Sequence, residues 1–159
     1  MKLAPLCILA ALSAFPQTQD AEKQAVIHTV ERTFQAMAAR DAAALRATLF
    51  PGAQFHAVRP DGSVSAAASE EFIARIAAAK EPPLERMWNP AVLISGRLAA
   101  LWAEYDFHRG AQFSHCGVDA AHLIKTAEGW KITSIAYTVQ KDNCPLSPLG
   151  PPAAVIPLK

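Results

Sequence analysis

The sequence has few of the residues that mark specialised chemistry. Its 159 residues include three cysteines, seven glycines and five histidines, and no internal repeat is visible. Phosphate-binding loops, dinucleotide fingerprints and a Ser-His-Asp arrangement are all absent, which argues against phosphoryl transfer and against hydrolysis by a nucleophile elbow. No two histidines stand at ligand spacing on one element, so we expect neither a metal nor another cofactor.

The sequence also lacks an excess of charge of either sign. Fifteen Lys and Arg residues face fourteen Asp and Glu residues, which gives a net charge of +1. There is no basic stripe with interleaved aromatic residues, so we expect no nucleic-acid partner. A hydrophobic fraction of 52% and a charged fraction of 18% are typical of one globular domain.

The longest apolar run is short and lies at the start of the chain. It extends from Leu3 to Phe15, follows one lysine and ends abruptly in polar residues. This order predicts a secretory signal peptide and short linker over residues 1–20, with cleavage after Ala14. The alternative is a buried N-terminal helix, which Pro5 disfavours. The run is too short to span a bilayer, so we expect a periplasmic or secreted protein without membrane insertion after cleavage.

Removal of this segment leaves two cysteines in a compartment where disulfides persist. Cys116 lies in a predicted strand beside the last strand, and a turn at Asp142-Asn143 could bring Cys144 back to it. We therefore predict a disulfide between Cys116 and Cys144. Two free thiols are the alternative, because Cα atoms more than about 7 Å apart cannot be bridged.

Apolar residues at helical spacing predict three helices. The first covers residues 21–40 with Asp20 as its N-cap, and a short second helix follows Asp41. The third begins at Ser69, where two glutamates in the first turn suit the helix dipole. The first helix is long enough to pack one face along a whole domain.

Alternating residues predict six strands. They cover 54–58, 63–67, 84–94, 98–108 and two long strands within 113–139 that meet at Glu128-Gly129. The domain is thus expected over residues 21–144. Residues 145–159 are rich in proline and without period, which predicts a flexible tail.

The last hairpin predicts one wall of a pocket. With a loop at Ala127 and Glu128, one of its faces is apolar near the turn and polar at the far end, as in a ligand pocket. That face carries His115, Asp119, Leu123, Trp130, Ile132, Ser134 and Thr138.

The opposite face of this hairpin is mostly aliphatic. It carries Val118, Ala120, Ile124, Ile135, Tyr137 and Val139. Such an area is too large to leave in water, so we predict a symmetric homodimer through the outer face of the sheet. The proline-rich tail is the rival cover for this face.

Two registers are open for residues 98–108. One places Trp102 and Glu104 in the pocket, and the other places Leu101, Ala103, Tyr105 and Phe107 there. The second is favoured, because carboxylates in a closed cavity need partners that offset their desolvation.

The order of elements resembles the nuclear transport factor 2-like superfamily, in particular its SnoaL-like bacterial branch. The resemblance covers residues 22–144 and rests on four features, which are the Asp61-Gly62 turn, Trp102 with Tyr105 and Phe107, the run 115–119, and Gly129-Trp130-Lys131-Ile132. It implies an α+β cone, in which a curved antiparallel sheet wraps around a long N-terminal helix with two shorter helices. It also implies a pocket at the open end and, often, a dimer.

The resemblance also implies a possible acid-base chemistry. In isomerase and dehydratase members, a pocket carboxylate or histidine abstracts a proton while a tyrosine or an acid stabilises the resulting charge. Here Asp119 or His115 could be the base and Tyr105 the donor. In the structural alternative, Asp119 hydrogen-bonds Ser134, Thr138 or the backbone.

The predicted function is therefore the binding of a small, largely apolar molecule in the pocket. The predicted pocket residues are His56, Trp102, Ser134, Thr138 and Trp130. One alternative is a cofactor-free isomerase, dehydratase or lyase, and another is an association domain without ligand. A raised carboxylate pKa in an enclosed cavity would favour the enzyme, and a filled cavity would favour the association domain.

Overall fold

The computed structural model describes residues 18–152, which form three helices and six strands. The elements are α1 (Gln19–Ala39), α2 (Ala42–Thr48), β1 (Leu49–Val58), β2 (Val64–Ala68), α3 (Ser69–Ala77), β3 (Pro83–Ser95), β4 (Leu98–Arg109), β5 (Gln112–Thr126) and β6 (Gly129–Thr138). Residues 1–17 of the predicted signal segment and residues 153–159 of the tail lie outside the described range. Across residues 18–152, no helix combines the length and apolar character needed to cross a membrane.

Helix α1 begins two residues before the predicted start. Its N-cap is Thr18 and not Asp20, because the Thr18 hydroxyl accepts a hydrogen bond from the Ala21 amide at 3.3 Å. Helix α2 begins as predicted, with the Asp41 carboxylate accepting from the amides of Ala43 and Ala44. The apolar face of α1 is buried against the sheet through Val26, Val30, Phe34 and Met37.

The six strands form one curved, open sheet in the order β2-β1-β6-β5-β4-β3. Strands β1 and β6 pair in parallel, and all other neighbours among the described strands are antiparallel. The inner, concave face of the sheet holds α1 and α3. The predicted α+β cone is confirmed.

A bulge in β6 changes the predicted faces of the last hairpin. Near the turn, Trp130 pairs with Lys125 and Ile132 with Leu123, as predicted. Thr133 is then an extra residue, so that Ser134 pairs with His122 rather than with Ala121. Because one residue of slip exchanges the two faces of a strand, every side chain beyond Thr133 points to the face opposite to the prediction.

The predicted dimer strip is therefore wrong in its β6 half. Ile135, Tyr137 and Val139 line a cavity on the inner face. The outer face carries other exposed apolar side chains, namely Leu93 (75% exposed), Leu98 (55%) and Trp102 (59%).

Strand β4 adopts the favoured register. Leu101, Ala103 and Tyr105 are buried on the inner face. The acids of the opposite face do not all reach water, since Asp106 is only 4% exposed and pairs with Arg86. Its Oδ1 accepts a hydrogen bond from Arg86 Nε at 2.9 Å, which offsets the cost of burying the carboxylate.

The predicted disulfide between Cys116 and Cys144 is present, with the two Cα atoms 5.9 Å apart. It joins β5 to the segment that follows β6. Beyond it, the tail contacts the outer face, where Arg86 Nη1 donates to the Gly150 carbonyl oxygen at 2.9 Å. Two contacts therefore hold the described part of the tail, residues 145–152, near the sheet.

Candidate functional site

A cavity of about 780 Å³ lies between the inner face of the sheet and helices α1 and α3. This central cavity has mostly aromatic and aliphatic walls, and Phe55 and Phe72 stack in it with ring centroids 3.9 Å apart. Its apolar lining consists of Phe34, Met37, Phe55, Ala57, Phe72, Ile76, Phe107, Phe113, Ile135 and Val139. A cavity of this size and character is typical of a small-molecule site.

Two carboxyl groups face each other in this apolar setting. Glu85 of β3 and Asp119 of β5 both line the central cavity. Neither oxygen of Asp119 accepts a hydrogen bond from an N–H or hydroxyl group of the described residues. Its hydrogen-bond partner is the Glu85 carboxyl, which donates only when it is protonated. With Glu85 protonated and donating to Asp119, these two groups, which we call the carboxyl pair, share one proton.

The surroundings of the carboxyl pair favour this proton. Burial raises the pKa of Glu85 well above its ordinary value, and the neighbouring charge of Asp119 raises it further. Burial also raises the pKa of Asp119 to about 7, although the hydrogen bond from Glu85 opposes this shift. The two groups titrate as a pair. The pair keeps one proton at neutral pH, and it gains or loses the second proton at a pH near 7.

The two members of the carboxyl pair differ in access to the cavity. Asp119 is 1% exposed, whereas Glu85 is only half-buried. The Glu85 carboxyl is therefore the member that a ligand in the cavity can reach more directly.

A tyrosine stands next to Asp119 on the neighbouring strand. Tyr137 of β6 pairs with Asp119 and lines the central cavity. Its pKa is raised by burial and also by the charges of Glu85 and Asp119, so its hydroxyl remains protonated at neutral pH. No described residue forms a hydrogen bond with this hydroxyl. It is available as a donor to a ligand.

Tyr105, the predicted donor, is buried on the inner face of the sheet but is not part of the cavity lining. It is 1% exposed, and its hydroxyl donates to the Thr138 carbonyl oxygen at 2.6 Å. The tyrosine ring crosses β5 at Gly117, where an added Cβ would lie 2.8 Å from the ring and 2.1 Å from the Thr138 oxygen. Only glycine fits at this crossing, and the hydroxyl of Tyr105 is already occupied.

His115 lines the cavity in a neutral form. Its ring stacks on Phe107 with centroids 4.8 Å apart, and Nδ1 lies 3.1 Å from the Ser114 hydroxyl. Burial lowers its pKa to about 4, and the positive charges of Arg109 and Lys141 contribute. A neutral imidazole can accept or donate one hydrogen bond to a ligand, but it carries no charge at neutral pH.

Four cationic side chains from four different segments surround the opening. They are Arg59, Arg75, Arg109 and Lys141, all solvent-exposed and all in the cavity lining. We call them the cationic rim. No member forms an ion pair with a described residue. Glu85 and Asp119, which lie inside, are the only acids in the described lining.

The structure brings Asp119 and His115 together at the cavity, but places the five predicted pocket residues elsewhere. Ser134 and Thr138 point outward because of the bulge at Thr133. The Ser134 hydroxyl lies 3.2 Å from His122 Nδ1, and the Thr138 hydroxyl accepts from the Val118 amide at 2.9 Å.

The remaining three predicted pocket residues are displaced by strand alternation or by distance from the opening. Trp102 faces outward because Leu101 and Ala103 face inward, and His56 does so because its neighbours Phe55 and Ala57 line the cavity. Trp130 is buried in the core near the hairpin turn, where its Nε1 donates to Glu22 Oε2 of α1 at 3.0 Å.

Sequence reasoning missed Glu85 and the inward position of Tyr137. Glu85 lies in the run 84–94 that the sequence predicts as a strand, but a single acid there does not show which face of the strand is the inner one. Pairing of Glu85 with Phe107 places it on the inner face. Tyr137 could not be found, because no residue type marks the bulge at Thr133.

No group of three or more metal-ligating side chains occurs among residues 18–152. Two acids that share a proton offer one net negative charge in an apolar cavity, which is a poor set of ligands for a divalent cation. The arrangement suits proton exchange with a bound molecule better than metal binding.

The chain matches one protein-family model and no protein of curated function. The matching model is described as "Putative lumazine-binding" and covers residues 21–138. The match extends over both members of the carboxyl pair and over most of the cavity lining.

Solved structures with the same fold come from several bacteria. A protein of unknown function from Silicibacter pomeroyi shares 22% identity, with 78% of this chain and 100% of the other aligned and a TM-score of 0.63. A "putative dehydratase" from Streptomyces avermitilis shares 18% identity over 77% and 98% of the two chains, also with a TM-score of 0.63. A protein from Kribbella flavida shares 14% identity over 79% and 96%, with a TM-score of 0.66. At these identities the similarity establishes the fold alone.

Proposed function

This chain belongs to the putative lumazine-binding family of SnoaL-like, nuclear transport factor 2-like domains, and we propose that it binds a small, largely apolar molecule and moves a proton on it without a cofactor. The reaction class is that of an isomerase, dehydratase or lyase. The family description supports a small-molecule role. An open cavity of about 780 Å³ speaks against an association domain with a filled cone.

One observation carries the proposal, namely the carboxyl pair in an apolar cavity. A carboxylate in water is a weak base, and burial of Glu85 and Asp119 raises the pKa of both. A base is most effective when its pKa lies near the working pH, because it is then ionised and still binds a proton strongly. The pair meets this condition near pH 7.

The proton balance is simple for a carbonyl compound. The singly ionised pair takes a proton from the carbon next to the carbonyl group. Glu85 passes its own proton to the ionised Asp119 and accepts the substrate proton in its place. The electron pair of the broken C–H bond forms a C=C bond, and negative charge develops on the carbonyl oxygen. The Tyr137 hydroxyl donates to that oxygen. Return of the proton to another carbon, or loss of a leaving group, completes an isomerisation or an elimination.

The test uses the bicyclic ketone 2-tetralone, whose α-hydrogens exchange with deuterated water. We expect the protein to accelerate this exchange, followed by ¹H NMR, and Glu85→Gln or Asp119→Asn to lower the rate by about 100-fold or more. Glu71→Gln is the matched control, because this acid lies exposed on α3 and outside the cavity lining. Equal rates in the wild type and both pair variants would refute proton transfer, and saturable binding without exchange would leave a binding protein only.

We further propose that the protein is exported. Support comes from the sequence of residues 1–20 and from the Cys116–Cys144 disulfide, which suits a periplasmic or secreted protein. A homodimer through the outer face of the sheet is proposed as well, now centred on Trp102, Leu93 and Leu98. Neither proposal affects the chemistry of the cavity.

A further inference from the structure

The charges around the central cavity are separated by depth. The two acids lie inside and share a proton, whereas the four cations of the rim, Arg59, Arg75, Arg109 and Lys141, are solvent-exposed at the opening. A ligand that enters the cavity therefore passes through a positive opening into an apolar interior. A purely apolar ligand would gain nothing from these four charges.

The rim has two sides, each next to a different polar group of the cavity. Arg75 and Arg59 both act on Tyr137, whose pKa they lower against the effect of burial. On the other side, Arg109 and Lys141 lower the pKa of His115. Positive charge therefore lies close to Tyr137 and also close to His115, and all four cations line the cavity.

No member of the cationic rim forms an ion pair with an acid of the described residues. The pKa of Asp61 is lowered mainly by hydrogen bonds from the hydroxyl and the amide of Ser63. The charge of Arg59 lowers this pKa too, but it acts less strongly than these hydrogen bonds. Arg59 itself donates to the Ser65 hydroxyl at 3.3 Å, and Arg75 lies over the Phe72 ring at 5.4 Å from its centroid. Both guanidinium groups thus keep most of their donors for another partner.

From this separation we infer that the ligand of the central cavity is an amphipathic anion, with an apolar ring system inside and a carboxylate or similar anionic group at the cationic rim. The inference rests on the proposed function and defines its substrate class. It also fixes the orientation of the ligand, because an anionic group placed inside would meet the carboxyl pair. The group that reacts is then at the end of the molecule opposite to the anion.

The contribution of the cationic rim to the affinity for an anion is expected to be modest. Single exposed ion pairs contribute little, but several cations that converge on one anion act together and are screened by salt. We expect a carboxylate ligand to bind about tenfold more tightly than its neutral amide at low ionic strength. The preference should shrink as salt is added.

The experiment compares 2-naphthoate with 2-naphthamide, which have the same ring system and nearly the same shape. Dissociation constants are measured by isothermal titration calorimetry for the wild type and for Arg75→Gln/Arg109→Gln, which removes one charge from each side of the rim. We expect the tenfold preference for naphthoate to fall to about twofold in the double variant. Arg75→Lys should keep the preference, as should Arg32→Gln, which removes a distant exposed charge on α1.

Three results would overturn the inference. The first is equal affinity for naphthoate and naphthamide in the wild type, and the second is a preference that persists unchanged in the double variant. The third is that neither probe binds. The exchange of 2-tetralone, a neutral ketone, is measured separately on the wild type. If the wild type catalyses exchange but shows no preference for naphthoate, the proposed function stands and the ligand class is refuted. If it prefers naphthoate but does not catalyse exchange, proton transfer is refuted and the ligand class stands.

Discussion

The shared proton of Glu85 and Asp119 makes stability depend on pH. The pKa of Asp119 is near 4 in the unfolded chain and about 7 in the folded protein. Its contribution is therefore fully present below about pH 4 and is lost as the pH rises through about 7, at a cost of about 4 kcal/mol. The contribution of Glu85 is lost at higher pH, because its pKa is raised further. We expect the unfolding free energy from urea titrations to fall over this range.

His115 acts in the opposite direction over part of the same range. Its pKa is lowered in the folded state, so its contribution is present above the unfolded value of about 6.5 and is lost as the pH falls towards 4. The experiment therefore compares the pH dependence of the unfolding free energy between variants, because the wild-type curve alone combines both effects. Glu85→Gln/Asp119→Asn should remove the loss at rising pH, and Glu71→Gln should keep it. A double variant with the wild-type slope would contradict the shared proton.

Substitution of Gly117 should lower the stability of the fold without changing the residues that line the cavity. In Gly117→Ala the new methyl group would lie 2.1 Å from the Thr138 carbonyl oxygen, so the backbone must shift. We expect a loss of roughly 1 to 3 kcal/mol of unfolding free energy. Gly62→Ala is the comparison, because it meets open space at a φ of 81° and should cost about 1 kcal/mol or less. Equal losses in the two variants would argue against the close approach.

The sequence identifies some site residues and misses others for a physical reason. Asp119 and His115 are identified because both lie on the face of the last hairpin that the sequence predicts as a pocket wall. Glu85 was missed because a single acid in a strand does not reveal its face. The carboxyl pair depends on the positions of β3 and β5, which are separated by β4, and no local pattern encodes that relation.

At the scale of elements, the disulfide closes a loop over a sequence separation of 28 residues. Restriction of the unfolded chain by such a loop contributes roughly 3 to 4 kcal/mol in the chain-entropy model. We expect Cys116→Ser/Cys144→Ser to lose about this amount in denaturant titrations, and a reductant to have the same effect on the wild type. Two reactive thiols in denatured protein produced in the periplasm would reject the bridge.

Element types and boundaries follow closely from sequence, but faces do not always. Strand β4 was placed correctly, because the cost of burying carboxylates decides between its two registers. The bulge at Thr133 had no comparable signal, and it exchanged the positions of Ser134 and Thr138 with those of Ile135 and Tyr137. An error of one residue thus moved a predicted polar pocket to the outside of the molecule.

At the scale of the whole molecule, the exposed apolar side chains of β3 and β4 predict self-association. Leu93, Leu98 and Trp102 share the outer face and are all more than half exposed. We expect light scattering at micromolar concentration to give the mass of a dimer, and Trp102→Glu to give that of a monomer. Phe50→Glu, at an exposed apolar residue at the start of β1, should leave the dimer intact.

The tail remains the rival cover of this face. Truncation at Pro145 distinguishes the two, because a monomer mass before and after truncation would rule out the dimer. Dimerisation only after truncation would identify the tail as the cover. The contact of Arg86 with Gly150 shows that the tail reaches the same side of the sheet.

The parallel pairing of β1 with β6 sets an order of events during synthesis. In the sheet order β2-β1-β6-β5-β4-β3, the strand made last lies between the first hairpin and the β3-β4-β5 meander. A nascent chain that ends before Gly129 therefore holds two sheet fragments with no shared edge. Pairings so distant in sequence form slowly, because the loop between them must close first. The cavity is thus completed only when nearly the whole domain has been synthesised, and shortened chains should be targets for proteolysis.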